Sequence, residues 1–227
     1  QTTGQRTATN FKVVVTLDEA APDIRPGFTC TAEISTATRA NAVALPIQAR
    51  GRLTTSVRRL EQWNVAGILP GTDPVLKQDL VIYSAHWDHF GKGADGAIYA
   101  GAVDNGTGCA AVLGLAQALV HQPSKRSVMF LFPCAEEQGL LGSSAYVAAP
   151  LWPLARTALN INLESLNVVG PTRDIGLLGS NDPKLRALCA QAAASTGLVI
   201  TPDKADPAGL CFRSDHFPFM KAGVPAL

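Results

Sequence analysis

The stretch Ser84–Gly108, SAHWDHFGKGADGAIYAGAVDNGTG, sets two histidines and three aspartates among glycines. An apolar run, DLVIYSAH (79–86), leads into it, and a second, TGCAAVLGLAQALV (107–120), leads out. The first is short and nearly continuous, which predicts a strand covered on both faces. The second is dominated by Ala and Leu and is apolar all round, which predicts a buried helix. A strand, a polar loop and a helix in succession are the building unit of an α/β sheet. In such sheets the functional groups gather in loops beyond the strand ends.

Working outward, NVAGILPG (64–71), SVMFLFP (127–133) and ALNINLE (158–164) read as further covered strands. Helices are expected over residues 139–148 and 182–196. In the latter, Asn181 or Asp182 caps, Pro183 suits the first turn and Gly197 stops the helix. The order β-β-α-β-α-β-β-α predicts an α/β fold of three layers, α/β/α, around a mixed sheet.

Residues 1–50 have a different grammar. FKVVVTLD (11–18) alternates with period two, IRPGFTCTAEIST (24–36) adds a Pro-Gly turn and a Thr/Ile-rich run, and ANAVALPIQA (40–49) gives a third extended run. This predicts a small all-β segment of antiparallel strands. The expected organisation is therefore a β-rich segment at 1–50 and an α/β domain at 51–227.

Composition narrows the partners. Of 227 residues, 47% are hydrophobic and 16% charged, with a net charge of +1 and no basic or acidic block. Nothing in that balance predicts nucleic acid or an anionic membrane surface as a partner. No apolar run approaches the roughly 20 residues that a membrane-spanning helix needs. The five cysteines lack metal-site spacing and read mainly as small core residues. The start at Gln1, with no initiator Met or leader, reads as a fragment or mature form.

The acidic and imidazole residues cluster at the predicted strand and helix ends. His86, Asp88 and His89 follow one strand, and Asp104 and Asn105 precede a helix. Glu136 and Glu137 follow SVMFLFPCA, Glu164 ends ALNINLE, and Asp215 and His216 open the last helix. Singly, each has a bland explanation: a core histidine, a carboxylate at a helix dipole, or the solvated start of a helix. Together they would bury many carboxylates without a compensating cation, which is very costly. A metal centre resolves that cost. Imidazole and carboxylate donors without thiolate suit zinc, and less often cobalt or manganese. A carboxylate shared by two ions would hold a water as hydroxide between them. Of the adjacent Glu136 and Glu137, one can ligate while the other takes the proton.

From Asn64 onward, the motifs NVAGILPGTDP, SAHWDH, GAVDNGTG, AEEQGLLGS, INLES and RSDHFPFMKAGVPAL resemble the co-catalytic zinc aminopeptidases of metallopeptidase clan MH. That family also contains glutamate carboxypeptidase relatives and the glutaminyl cyclases. The resemblance implies a mixed sheet of zinc exopeptidase type, two zinc ions, a peptide substrate and a periplasmic or secreted location. It implies that His86 binds one zinc, with Asp88 as a carboxylate that orients the imidazole. It further implies that Asp104 bridges the ions, Glu136 is the general base, Glu137 binds the second zinc and Glu164 completes the first. The family usually has Asp where Glu164 stands, so the longer arm would shift the ion or bind it through one oxygen.

The same resemblance gives Asp215 and His216 an outer or substrate-side place, and assigns the last zinc histidine to a later segment. The peptidase domain is thus expected to be incomplete at its C-terminus, with His216 as the alternative ligand. Tyr99 is expected to line the pocket, and His89 and Trp87 to be loop residues rather than ligands. Residues 1–50 resemble the β-barrel region of periplasmic adaptor subunits of efflux pumps. The leading expectation is aminopeptidase activity. Glutaminyl cyclisation by one zinc, or an inactive peptidase piece joined to an adaptor fragment, are its rivals.

Overall fold

The computed structural model describes residues 60–93, 96–179, 181–201 and 209–227. The expectations for residues 1–50 lie outside the described residues. In chain order the elements are β1 (Val65–Leu69), β2 (Leu80–Ser84), β3 (Gly91–Lys92), β4 (Ile98–Tyr99), α1 (Gly106–His121) and β5 (Ser127–Phe132). There follow α2 (Leu141–Ala148), β6 (Thr157–Asn162), β7 (Asp174–Ile175), α3 (Pro183–Ser195), β8 (Val199–Ile200) and α4 (His216–Lys221).

The main sheet has the order β1-β5-β2-β6. Strands β2, β5 and β6 run parallel, and β1 pairs antiparallel with β5. Side chains alternate across a strand, and the two resulting faces are covered by different helices. Leu80, Ile82, Met129 and Leu131 face one way and pack with Tyr146 of α2 and Phe219 of α4. Val128 and Phe130 face the other way and pack with Val112 of α1. The fold is therefore the expected mixed sheet between two helical layers. Each fully buried Leu, Ile or Phe contributes about 1.5–3 kcal/mol, so this sandwich is what holds the strand ends in place.

Two expectations need correction. β1 is largely exposed along its length, because it lies at the end of the sheet order and is not covered on both faces. α1 is not buried all round: Gly108 and Val112 are buried, whereas Leu113 and Val120 stand open. One side of α1 meets the sheet, and a layer one helix thick needs no more. Helix α3 matches its signals closely, since Asp182 accepts from the Lys184 and Leu185 N–H groups and Gly197 follows with φ +75°.

A short polar chain crosses the core between β2 and β6. Asn160 Nδ2 donates to Ser84 Oγ at 2.9 Å, and Ser84 Oγ donates to Asn162 Oδ1 at 2.9 Å. Ser84 and Asn160 are both fully buried. The segment ending at Leu227 extends this edge: Asn160 and Asn162 donate their backbone N–H groups to Pro225 and Leu227 carbonyls. No disulfide joins the described cysteines.

Candidate metal centre

Because β2, β5 and β6 are parallel neighbours, their C-terminal ends emerge on one edge of the sheet. The loops after them carry His86 to His89, Cys134 to Glu137, and Leu163 with Glu164. The N-terminus of α1 is tied to the same edge by Asn105. Its side chain caps Gly108 N–H at 3.1 Å, accepts from Ser165 N–H and donates to the Leu163 carbonyl at 2.9 Å. Asp104 directly precedes Asn105 and reaches the loops after β2, β5 and β6 with its carboxylate.

The turn after β5 is held from below. Ala135 has φ +55°, a left-handed conformation that costs a residue with a Cβ. Its N–H donates to both carboxylate oxygens of Asp88 at 2.8 Å. The group facing His86 Nδ1 at 2.9 Å is the Asp88 main-chain carbonyl, while the carboxylate braces the turn that carries Glu136 and Glu137. A carbonyl acceptor on Nδ1 fixes the tautomer and leaves Nε2 with its lone pair.

His86 Nε2 lies 3.1 Å from Asp104 Oδ1 and 3.8 Å from Glu136 Oε2. Three sets of donor atoms, each lying within 4.8 Å of one another, can be drawn from this cluster: His86, Asp104 and Glu164; His89, Asp104 and Glu137; and His86, Glu136 and Glu137. Asp104 belongs to the first two sets. His86 Nε2, His89 Nδ1, Asp104 Oδ1 and Glu137 Oε1 are all buried without a hydrogen-bond partner. Each such atom costs the full desolvation of a polar group. Four of them, from imidazole and carboxylate side chains spread over overlapping donor sets, fit cation binding and fit zinc in particular.

The electrostatics agree. Burial pushes the Glu136 carboxyl up to about 9, helped by the carboxylates of Glu164, Asp215, Glu137 and Asp104. Burial also raises Glu164, although hydrogen bonds from Ser214 and Asn162 and the imidazole of His86 oppose it. Asp215 is raised to about 6, again chiefly by burial, against the Ser143 hydroxyl that donates to it. Without a cation, part of this cluster must carry protons.

The other expected residues fall around the edge. Asp215 and His216 are buried behind the cluster, and His216 belongs to none of the three donor sets. Burial lowers the His216 pKa, favouring the neutral ring. Tyr99 is half exposed on β4, with its ring edge-on to Phe90 at 5.9 Å. His89, expected to be a bystander, is brought inside the cluster, 2.6 Å from Glu137. Its position three residues after His86, in the same loop, is the signal that could have found it.

The profile of peptidase family M28 matches residues 64–227. The aminopeptidase YwaD of Bacillus subtilis is 38% identical over 164 residues, which are 71% of this chain and 34% of that protein. Leupeptin-inactivating enzyme 1 of Streptomyces exfoliatus is 32% identical over 166 residues, 72% of this chain and again 34% of the relative. The chain thus spans about a third of the length of these two relatives. Among solved structures, a zinc aminopeptidase from Bacillus subtilis aligns with a TM-score of 0.56 at 27% identity, covering 72% of this chain and 38% of that one. A glutaminyl cyclase from an Acidobacteriales bacterium aligns at 0.58 with 21% identity, covering 72% and 56%, and shares the fold alone. The profile match starts at residue 64, so the efflux-adaptor likeness of residues 1–50 draws no support from it. With the match running through the three parallel strands and every residue of the carboxylate cluster, the chain belongs to peptidase family M28.

Proposed function

We propose that this chain carries the catalytic centre of a zinc aminopeptidase, with His86, Asp104 and Glu164 holding one ion and Asp104 and Glu137 holding a second. The observation that carries the reading is the position of Asp104, which belongs to both a His86 set and a Glu137 set while its Oδ1 has no partner. Zinc bound there would supply Lewis acidity, polarising the scissile carbonyl and acidifying a water.

The chain's own residues divide the remaining work. Glu136 is 7% exposed and reaches the cluster at 3.8 Å from His86 Nε2, so a proton taken from water would rest on a shielded carboxylate. It can then pass that proton to the leaving amine, as general acid–base catalysis requires. The Asp88 carboxylate keeps Glu136 aimed by holding the Ala135 N–H, and Asp88's carbonyl keeps His86 Nε2 facing inward. Asp215, bonded to Ser143, adds the negative field that makes Glu136 a stronger base. Tyr99 and Phe90 would line the approach for the substrate's first side chain. The periplasmic or secreted location implied by the family resemblance, and the division into residues 1–50 and 51–227, belong to the same proposal.

Glutaminyl cyclisation is the second reading, favoured by the shared fold but not by two overlapping donor sets. The two are separated by release of an aminoacyl chromophore against cyclisation of an N-terminal glutamine peptide. Glu136→Gln should leave zinc content unchanged and lower aminopeptidase turnover at least about 100-fold. Undiminished turnover would sink the role of Glu136.

A further inference from the structure

His89 lies in the loop after β2, and its Nδ1 is 2.6 Å from Glu137 Oε1. The two atoms form a close ion pair but are not aligned as a hydrogen bond, and each is buried without a hydrogen-bond partner. A nitrogen and a carboxylate oxygen so placed are both open to a third group. Asp104 offers an oxygen within 4.8 Å of both.

The ring is also fixed in place. Gly101 has φ +65°, and a Cβ there would sit 2.7 Å from His89 Cβ and 3.1 Å from its Cγ. Only glycine at 101 leaves the imidazole where it is. Phe90 stands edge-on to the imidazole with ring centroids 4.8 Å apart. A solvent-facing loop histidine needs neither constraint, whereas a ligand must have its ring orientation set by its surroundings.

We propose that His89 is a ligand of the second cation position through Nδ1, together with Glu137 and the shared Asp104. This rests on the two-ion reading of Asp104 and extends it. Each position then receives one imidazole, one glutamate and the common aspartate: His86 and Glu164 on one side, His89 and Glu137 on the other. Histidine binds zinc through either ring nitrogen, and the choice of Nδ1 here follows from which atom is turned inward.

The test uses the 227-residue chain loaded with zinc alone. Ions per chain are measured by plasma mass spectrometry, and imidazoles per zinc by X-ray absorption. Wild type should hold two ions and average one imidazole per zinc; the spectrum needs no variant and so does not depend on one folding. His89→Gln, checked by circular dichroism, should weaken one of the two ions about 100-fold or more and leave the other. Gly101→Ala, whose Cβ would press on both His89 and the Asp104 carbonyl, should weaken zinc binding without removing a donor.

A wild type with two ions but half an imidazole per zinc overturns the assignment, as does a His89→Gln protein that keeps both ions at wild-type affinity. A wild type holding a single ion, lost in His86→Ala and untouched by His89→Gln, fails the two-ion reading itself, and the two failures are told apart by stoichiometry.

Discussion

A methyl group at residue 108 would sit 2.2 Å from Asn105 Oδ1 and 2.4 Å from the Leu163 carbonyl oxygen. Neither neighbour can give way, because one caps α1 and the other is held by Asn105 Nδ2. Gly108→Ala should therefore cost about 1–3 kcal/mol, read as a lower urea midpoint with an unchanged slope. The side chains of the cluster were legible in the sequence because so many acids and imidazoles at strand ends demand a cation. What could not be read was the direction of each group. The spacing of His86 and Asp88 is the same whether the carbonyl or the carboxylate faces the ring, and the structure selects the carbonyl. The aim of His89 was not legible for the same reason: it depends on its packing against Gly101 and Phe90, which spacing along the chain does not reveal.

At the scale of elements, the cap of α1 also fastens the loop after β6. Asn105→Ala removes the acceptor for Gly108 and Ser165 and the donor to Leu163 at once. The loss should exceed the roughly 1 kcal/mol of an ordinary cap. A thermal melt of the variant checks this, and a melting temperature equal to wild type would contradict it. The helices and the four strands of the main sheet were legible from period and caps, as with Asp182 and Pro183 in α3, whereas the two-residue strands β3, β4, β7 and β8 are too short to show a period. Exposure was not legible, because a run such as Thr107–Val120 is apolar on the side that meets the sheet and on the side that does not.

For the molecule as a whole, the acidic cluster makes stability depend on both pH and metal. Glu136 is raised from 4.5 to about 9 in the folded chain without a cation, and Asp215 from 3.8 to about 6. A carboxyl with a raised folded-state pKa takes up a proton on folding, so its contribution is full at low pH and falls as pH rises through that window. Protein stripped with a chelator should become less stable between about pH 5 and pH 9, and Glu136→Gln should flatten the fall. Denaturant titrations at pH 5, 7 and 9 measure it, and a stability that rises over that range would refute the assignment. Added zinc should reverse the trend, since a ligand that binds only the folded state stabilises it.

The buried chain from Asn160 through Ser84 to Asn162 bears on how the protein can vary over time. Ser84 Oγ is at once an acceptor and a donor, so replacing it strands the buried Asn160 amide, and replacing either asparagine takes one of the hydroxyl's two bonds. Change at these positions must come in concert. In a mutational library that varies one site at a time, positions 84, 160 and 162 should look immutable, whereas a triple replacement by small apolar residues should recover folded members.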